Sequence, residues 1–265
     1  MTKVMGILNV TEDSFSDGGS NPTTAIAVEN AKAMVAAGAD IIDVGGESTR
    51  PGAVRVDAGV EAARVAPVIA ALAAEGIPTS VDTMRASTAE AALTAGATYV
   101  NDVSGGLADP DMLAVCADFR APAILMHWNR GESFGAEGRA DHGEDIVEHV
   151  AEWLAERAEA AHAAGVREVI LDPGIGFAKS AEDNWALLGG MDRLTSQGYP
   201  LLIGASRKRF LAALNPNTVD EATAAVSTLA AAGGAWAVRV HKVAPSRAAV
   251  DVAAQWTAHR RRAHG

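Results

Sequence analysis

Cysteine is almost absent from this chain, Cys116 being the single one in 265 residues. An intrachain disulfide and a cysteine-built metal centre are therefore excluded. Cys116 ends the run Met112-Leu113-Ala114-Val115-Cys116, which reads as helix with nothing nearby to lower a thiol pKa, so it is read as a small buried hydrophobe and not as a nucleophile. Aromatic residues make up only 5% of the chain. The scattered Trp128, Trp153, Trp185, Trp236 and Trp256 read as packing residues with a polar edge. No uninterrupted apolar run approaches the roughly 20 residues of a membrane span. Met1-Thr2-Lys3 leads into an apolar stretch broken by Gly6 and Asn9, too short and too polar for a signal peptide, and the expected location is the cytoplasm. Positive charge is also scarce. The formal net charge of −11 argues against a general affinity for nucleic acid or acidic membranes. The run Arg260-Arg261-Arg262 reads as a solvated helix end, where cations favour the negative pole of the dipole. An anionic substrate would need a local basic cluster.

What is present is a core. Hydrophobic residues reach 49% and charged residues 21%, an ordinary globular balance. Short runs rich in Val and Ile alternate with alanine-rich stretches of helical period along the whole chain. Strands are expected near 4–8, 40–44, 78–82, 98–101, 123–126, 168–171, 200–203 and 236–240. Helices are expected between them at about 22–37, 58–75, 86–95, 110–117, 144–164, 183–197, 219–233 and 246–261. Glycines at 38, 76, 96, 165 and 198 stand where helices must stop. Repeated βα units imply a parallel sheet, and eight of them at this length favour a closed (β/α)₈ TIM barrel, an α/β fold of one domain spanning residues 1–265.

Nearly every apolar run stops at a polar side chain: Asn9, Asp43 with Glu47, Asp82, Asn101 with Asp102, His127, Asp172, Ser206 with Lys208, and Arg239 with His241. A barrel collects the C-terminal ends of its strands on one face, where active sites of this fold lie. The stretch from about 129 to 145, glycine-rich and charged, reads as an exposed excursion before a long helix. His142, His149, His162, His259 and His264 fall in expected helices or exposed segments and receive no role.

The first strand runs into GILNVTEDSFSDGG at 6–19, and the second into DVGGESTRPGA at 43–53. Glycines there let backbone approach a ligand, and Arg50 offers a planar fork for anions. Further along stand SVDTMR at 80–85, NDVSGG at 101–106, LMHW at 125–128, LDPGIGFAKS at 171–180, GASRKRF at 204–210 and VRVH at 238–241. With motifs at all eight strand ends in family order, the chain resembles the dihydropteroate synthases over essentially its whole length.

The resemblance implies a pterin site formed by Asp82, Asn101 and Asp172 with contributions from Met126, Gly204 and Lys208. These residue types suit a flat ring with an amidine-like edge, which carboxylates and amides read while apolar groups cover its face. It implies further that Asn9, Arg239 and His241 bind pyrophosphate, with Asn9 also contacting Mg2+. Barrels often bind phosphate at the loops after strands seven and eight, and here those loops are basic, with Arg207, Lys208, Arg239 and His241. Positions matching Thr49, Arg50, Pro51, Phe177, Ser206 and Lys208 form the family's 4-aminobenzoate site, where sulfonamides should compete.

The implied reaction joins a hydroxymethyl-dihydropterin diphosphate to 4-aminobenzoate and expels pyrophosphate. An aryl amine is neutral at pH 7, so departure of the leaving group is the harder step, and an SN1-like path is expected. Asp82 and Asp172 would stabilise the cationic pterin, Arg239, His241 and magnesium the departing anion, and Lys208 would serve both substrates. The loops at 6–19 and 45–53 would close over the reaction, with Phe15, Asp17, Thr49 and Arg50 as closing groups. No nucleic acid or membrane partner is expected, and the resemblance implies a homodimer.

Two features depart from the pattern. The segment after GASRKRF is short, Leu214-Asn215-Pro216-Asn217 leading quickly to Asp220, and it lacks an arginine. The family's final His-Asp-Val is His241-Lys242-Val243 here, and alternation places Lys242 opposite His241, outside the pocket. Two alternatives stay open at this point: a pterin-barrel enzyme of the methyltetrahydrofolate methyltransferase type, and a catalytically silent pterin-binding paralogue.

Overall fold

Branched and apolar residues at alternate positions make each strand two-faced, and a computed structural model, which describes residues 1–10, 22–47, 56–128 and 145–264, shows what each face packs against. The strands are β1 (Lys3–Asn9), β2 (Ile41–Gly45), β3 (Thr79–Asp82), β4 (Tyr99–Asp102), β5 (Ala123–Met126), β6 (Val169–Asp172), β7 (Leu202–Ile203) and β8 (Ala237–Val240). They form one parallel sheet in the order β6-β5-β4-β3-β2-β1-β8-β7. The two ends of that order meet. A parallel bridge pairs Leu171 with Leu201, and the Leu171 N–H donates to the Pro200 carbonyl at 2.9 Å. The barrel expected from the sequence is therefore present, closed along the β6/β7 seam by a single bridge, where β7 and β8 share two register pairs and the other neighbouring strands three to five.

The outward faces of the strands, among them Val4, Leu8, Ile42, Val44, Val81, Val100 and Leu125, pack against the surrounding helices in the main core. Each fully buried Ile, Leu or Val contributes about 1.5–3 kcal/mol relative to exposure. The inward faces divide by height. At the N-terminal end Met5, Ile41, Ile124, Ile170, Leu202 and Ala237 fill the barrel. Tyr99 and Trp236 meet edge to face there at 5.6 Å, with the Lys3 ammonium 5.1 Å from the Trp236 ring. One pleat higher the inward positions turn polar, so the apolar plug supports a layer of charge from below.

The helices are α1 (Pro22–Ala36), α2 (Ala58–Ala74), α3 (Ala86–Thr94), α4 (Met112–Asp118), α5 (Ile146–Ala163), α6 (Ala181–Gly189), α7 (Met191–Thr195), α8 (Arg209–Ala212), α9 (Val219–Ala232) and α10 (Val243–His264). Caps explain several starts. Asp57 accepts from the Gly59 N–H at 2.8 Å, Asp145 from Val147 and Glu148, and Ser180 and Asp183 form a reciprocal capping box. The single helix expected over 183–197 is two, α6 and α7, divided at Gly190, where an added Cβ would lie 2.7 Å from a Val147 methyl. The short α8 was not expected. The last helix begins three residues earlier than its composition suggested, with Pro245 tolerated in its first turn. Cys116 is fully buried and burial pushes its thiol up to about 12, in keeping with the reading of an inert core residue. The excursion expected over 129–145, with His142, falls almost wholly outside the described residues. Among the described residues no helix is long and apolar enough to cross a membrane.

Candidate active site

The polar layer belongs to the strands themselves. Strand register sets Asp43 beside Ser80, Gly45 beside Asp82 and Asp82 beside Asn101, while Met126 pairs with Asp172. All these side chains point into the barrel at the end opposite the apolar plug. Arg239 on β8 reaches across the interior. Its Nε donates to Asp43 Oδ2 at 2.6 Å and its Nη2 to Asp82 Oδ2 at 2.6 Å. Asn101 Nδ2 donates to the same Asp43 oxygen at 3.2 Å. An amide nitrogen only donates, so the bond to Asp43 fixes the orientation of the Asn101 amide and makes its oxygen the acceptor for a ligand's N–H groups.

Burial sets the electrostatics of this layer. It raises Asp82 from 3.8 to about 7; the Arg239 guanidinium opposes the rise, and the nearby Asp43 carboxylate adds to it. Burial likewise raises Asp172, against the Gly174 N–H and the cations Arg239, Lys208 and Lys179. Arg239 loses some basicity to burial and regains more from Asp43 and Asp82, so it stays cationic. Two carboxylate oxygens, Asp43 Oδ1 and Asp82 Oδ1, are buried without a hydrogen-bond partner. Such a group is costly unless a donor arrives, and it marks where one is expected.

Beside the carboxylates lies an apolar group, Met84, Val103, Met126 and Phe177. The Lys208 ammonium sits 3.8 Å from the centre of the Phe177 ring. Burial lowers Lys208 to about 8, with Arg239 acting in the same direction and Asp172 and Asp82 against it. An aliphatic stem packed where Gly176 has no side chain brings Lys208 in; a Cβ there would come within 2.6 Å of Lys208 Cδ, and Gly176 has φ +79°.

A cavity of about 710 Å³ opens above these groups, lined by Asn9, Phe177, Ser206, Lys208, Arg239 and His241 among others. Ser206 is nearly buried, and its hydroxyl meets both the His241 N–H at 3.1 Å and His241 Nδ1 at 3.0 Å. The loops after β7 and β8 are thereby tied together at the cavity wall. Arg207 is turned away. It adopts φ 57°, and its guanidinium grips Asp220 through two hydrogen bonds of 2.7 and 3.0 Å. Lys242 is 59% exposed, with Nζ 4.0 Å from the same carboxylate, on the outside as its alternation with His241 implied. The short segment after Leu214 folds as a 3-10 turn at Pro216–Thr218, capped by Asn215.

The residues expected at the site thus fall into two groups that share Arg239. Asp82, Asn101, Met126 and Asp172 line the barrel interior, and Asn9, Phe177, Gly204, Ser206, Lys208 and His241 line the cavity. Arg239, expected to serve an anion, spends two of its donors on the carboxylates. Gly204 lies against Asp172 across the β6/β7 seam, where an added Cβ would be 3.7 Å from Asp172 Oδ2. Phe15, Asp17, Thr49, Arg50 and Pro51 lie outside the described residues. Three contributors had received no role from the sequence: Asp43, Lys179 and His127. Asp43 was visible as a polar strand end, but its pairing with residues 58 and 196 positions away is a product of barrel closure.

The arrangement is a barrel with a carboxylate and amide layer under a cationic cavity. The sequence profile of pterin binding enzymes matches residues 5–241, a span that begins within β1 and includes the carboxylate layer and the cavity residues named above. The chain belongs to the dihydropteroate synthase family of pterin binding enzymes. Its curated relative from Mycobacterium leprae (strain TN), a dihydropteroate synthase, is 48% identical over 96% of this chain and 93% of the relative. The Xanthomonas albilineans dihydropteroate synthase, solved with 4-aminobenzoic acid, has TM-score 0.87 and 42% identity over 98% of this chain and 93% of that one. Solved with 7,8-dihydropteroate, it gives TM-score 0.83 and 39% identity over 98% and 94%. The Yersinia pestis dihydropteroate synthase, solved with a sulfonamide drug, has TM-score 0.88 and 35% identity over 97% and 94%. This family member is a transferase with the dihydropteroate synthase activity of folate biosynthesis.

Proposed function

We propose that this enzyme condenses 6-hydroxymethyl-7,8-dihydropterin diphosphate with 4-aminobenzoate to 7,8-dihydropteroate and pyrophosphate by an SN1-like, Mg-assisted path. The observation that carries the proposal is a buried carboxylate layer with an unpartnered Asp82 oxygen, joined through Arg239 to a cavity bearing Lys208 and His241. The relatives solved with 4-aminobenzoic acid and with 7,8-dihydropteroate supply the substrate classes.

Asp82 Oδ1 and Asn101 Oδ1 would accept from the donor edge of the pterin, and Asp172 would take a further N–H, with Met126 and Phe177 against the ring. Cleavage of the methylene C–O bond sends its electron pair to the departing diphosphate and leaves a cation delocalised into the pterin. In their ionised forms Asp82 and Asp172 would favour that cation, in surroundings where burial strengthens the interaction. His241, held by Ser206, and the cations Lys208 and Arg239 would receive the diphosphate. The amine lone pair of 4-aminobenzoate then forms the C–N bond, and the resulting ammonium loses its proton to solvent. Ser206, Lys208 and Phe177 would seat 4-aminobenzoate together with Thr49, Arg50 and Pro51, and a sulfonamide would compete at the same place.

Among the described residues no group of three or more His, Cys, Asp or Glu is placed to hold a metal ion. Asn9 offers one neutral oxygen at the cavity wall. Magnesium commonly takes one or two protein ligands and completes its shell with water and phosphate oxygens, so this donor set fits an ion that arrives with the diphosphate. When bound, it would supply neutralisation of charge on the leaving group. Exposed Leu229 on α9 with Val252 and Trp256 on α10, two helices packed on each other, support a homodimer through that face. Sedimentation of the purified protein at a mass near 27.2 kDa would exclude the dimer.

The deciding assay measures pyrophosphate release by the purified chain with pterin diphosphate, 4-aminobenzoate and Mg2+. Release should need both substrates and fall on chelation of the metal. Release no greater than that of a Lys208→Ala variant would overturn the proposal.

A further inference from the structure

The loop from Pro173 to Ser180 carries Phe177 over Lys208 and orients Asp172, whose Oδ1 accepts from the Gly174 N–H at 2.8 Å. It is an improbable loop to hold its shape unaided. Gly174 and Gly176 have φ +68° and +79°, and Ala178, which carries a Cβ, has φ 48°. A non-glycine residue in that region costs about 1–2 kcal/mol and persists where its surroundings over-determine it.

Two side chains supply those surroundings: Asn184, whose Oδ1 accepts from the Gly176 N–H at 2.6 Å and whose Nδ2 donates to the Ser180 carbonyl at 2.7 Å, and Lys179, which holds the part of the loop that carries Gly174 and Phe177. Lys179 folds back under the loop, and its ammonium lies 3.0 Å from His127 Nδ1, 3.1 Å from the Gly174 carbonyl and 3.2 Å from the Phe177 carbonyl. An ammonium has three protons and no acceptor, so each proton has a partner. His127 must then present Nδ1 as an acceptor. His127 is itself held, its N–H on the Asp172 carbonyl at 2.8 Å and its ring edge to face with Trp153 at 4.9 Å. An added Cβ on Gly174 would come within 2.5 Å of the His127 carbonyl oxygen, so the brace fits without spare room. Burial lowers Lys179 to about 7, with Asp172 opposing, a cost that an ordinary surface lysine would avoid.

We infer that Lys179, seated on His127, is a positioning residue for the reaction, setting the Pro173–Ser180 loop so that Asp172 and Phe177 meet the substrates. It does not touch the reacting atoms. The inference rests on the proposed roles of Asp172 and Phe177.

The test uses the full chain and the variants Lys179→Met, Lys179→Arg, His127→Ala and His127→Asn. Calorimetry gives the Kd for 6-hydroxymethylpterin, pyrophosphate release gives kcat and the KM for 4-aminobenzoate, and thermal melts give Tm. Lys179→Met should weaken pterin binding and raise that KM by about tenfold or more each, since small misplacements of binding groups are costly. Lys179→Arg should also be impaired, because a planar fork cannot reproduce three tetrahedral donors. His127→Asn, whose amide oxygen can replace Nδ1, should retain most of the wild-type Kd and KM, while His127→Ala should lose them in part. Wild-type Kd and KM in Lys179→Met, whatever its Tm, would reduce Lys179 to a scaffold residue and overturn the inference. His127→Asn as impaired as His127→Ala would also overturn it. If Lys179→Met does not fold, the two His127 variants carry the test. Absence of pyrophosphate release in the wild type would instead be a failure of the proposed function, and the Kd comparison would still decide the role of Lys179.

Discussion

Replacing Asp82 with asparagine should separate what its charge does for the substrate from what it does for the fold. Asp82 has one oxygen on Arg239 at 2.6 Å and one without a partner. A hydrogen bond to a charged group contributes about 1.5–3 kcal/mol, so losing it from the pterin should raise Kd about 10- to 150-fold. Asparagine would also offer an N–H where the ligand offers one, which pushes toward the upper end. Stability should respond differently. Folding raises this carboxyl from 3.8 to about 7, so the native state favours its protonated form. That contribution is complete below pH 3.8 and is lost as pH climbs through about 7. The interval corresponds to on the order of 4 kcal/mol. Asp82→Asn, a neutral isostere, should lack this decline, so the variant gains relative to wild type between pH 4 and 8 while binding pterin worse. Urea unfolding across that range and calorimetry with 6-hydroxymethylpterin give the two quantities. Binding within threefold of wild type would refute the assignment of Asp82 to the pterin, and parallel stability curves would refute the raised pKa.

Other outcomes follow from the same geometry. In the wild type kcat/KM for the pterin diphosphate should rise with pH through about 7 as Asp82 ionises and fall through about 8 as Lys208 loses its proton; a profile flat from pH 6 to 9 would contradict both. Ala178→Gly relieves φ 48° and should stabilise the protein by about 1 kcal/mol in urea titrations. Lys242→Asp, facing Asp220 on the exposed rim, should cost under about 1 kcal/mol and leave pyrophosphate release unchanged. Cys116 should react with a thiol reagent at pH 8 only once the protein is unfolded, because it is buried and its thiol is lifted to about 12.

How much of this was legible beforehand differs by length scale. Strand positions were readable because each buried strand needs Val, Ile or Leu on alternate faces, and the polar residue ending each run marked the barrel's working face. Asp82, Asn101 and Asp172 could be placed at one end of one sheet from their spacing alone. Contacts between distant strands could not. Nothing local to Asp43 announces that it orients Asn101 and Arg239 together, since both bonds exist only when β2, β4 and β8 are held around a common interior. Lys179 was hidden for a different reason. A lysine after a glycine-rich turn reads as solvated, and only the backward fold of its side chain buries it. The division at Gly190 was missed because periodicity runs through it; the limit there is the space left by Val147.

The weak closure of the barrel acquires a meaning from where it falls. Asp172 ends the strand on one side of the seam, and Gly204 and Lys208 follow the strand on the other. A pterin lying against all three would act as a rivet through the two staves that the backbone leaves least joined. Occupancy would then be felt as circumference: the ligand stiffens the ring where it would first part, and native stability becomes a gauge of substrate supply, growing with the logarithm of ligand concentration above Kd.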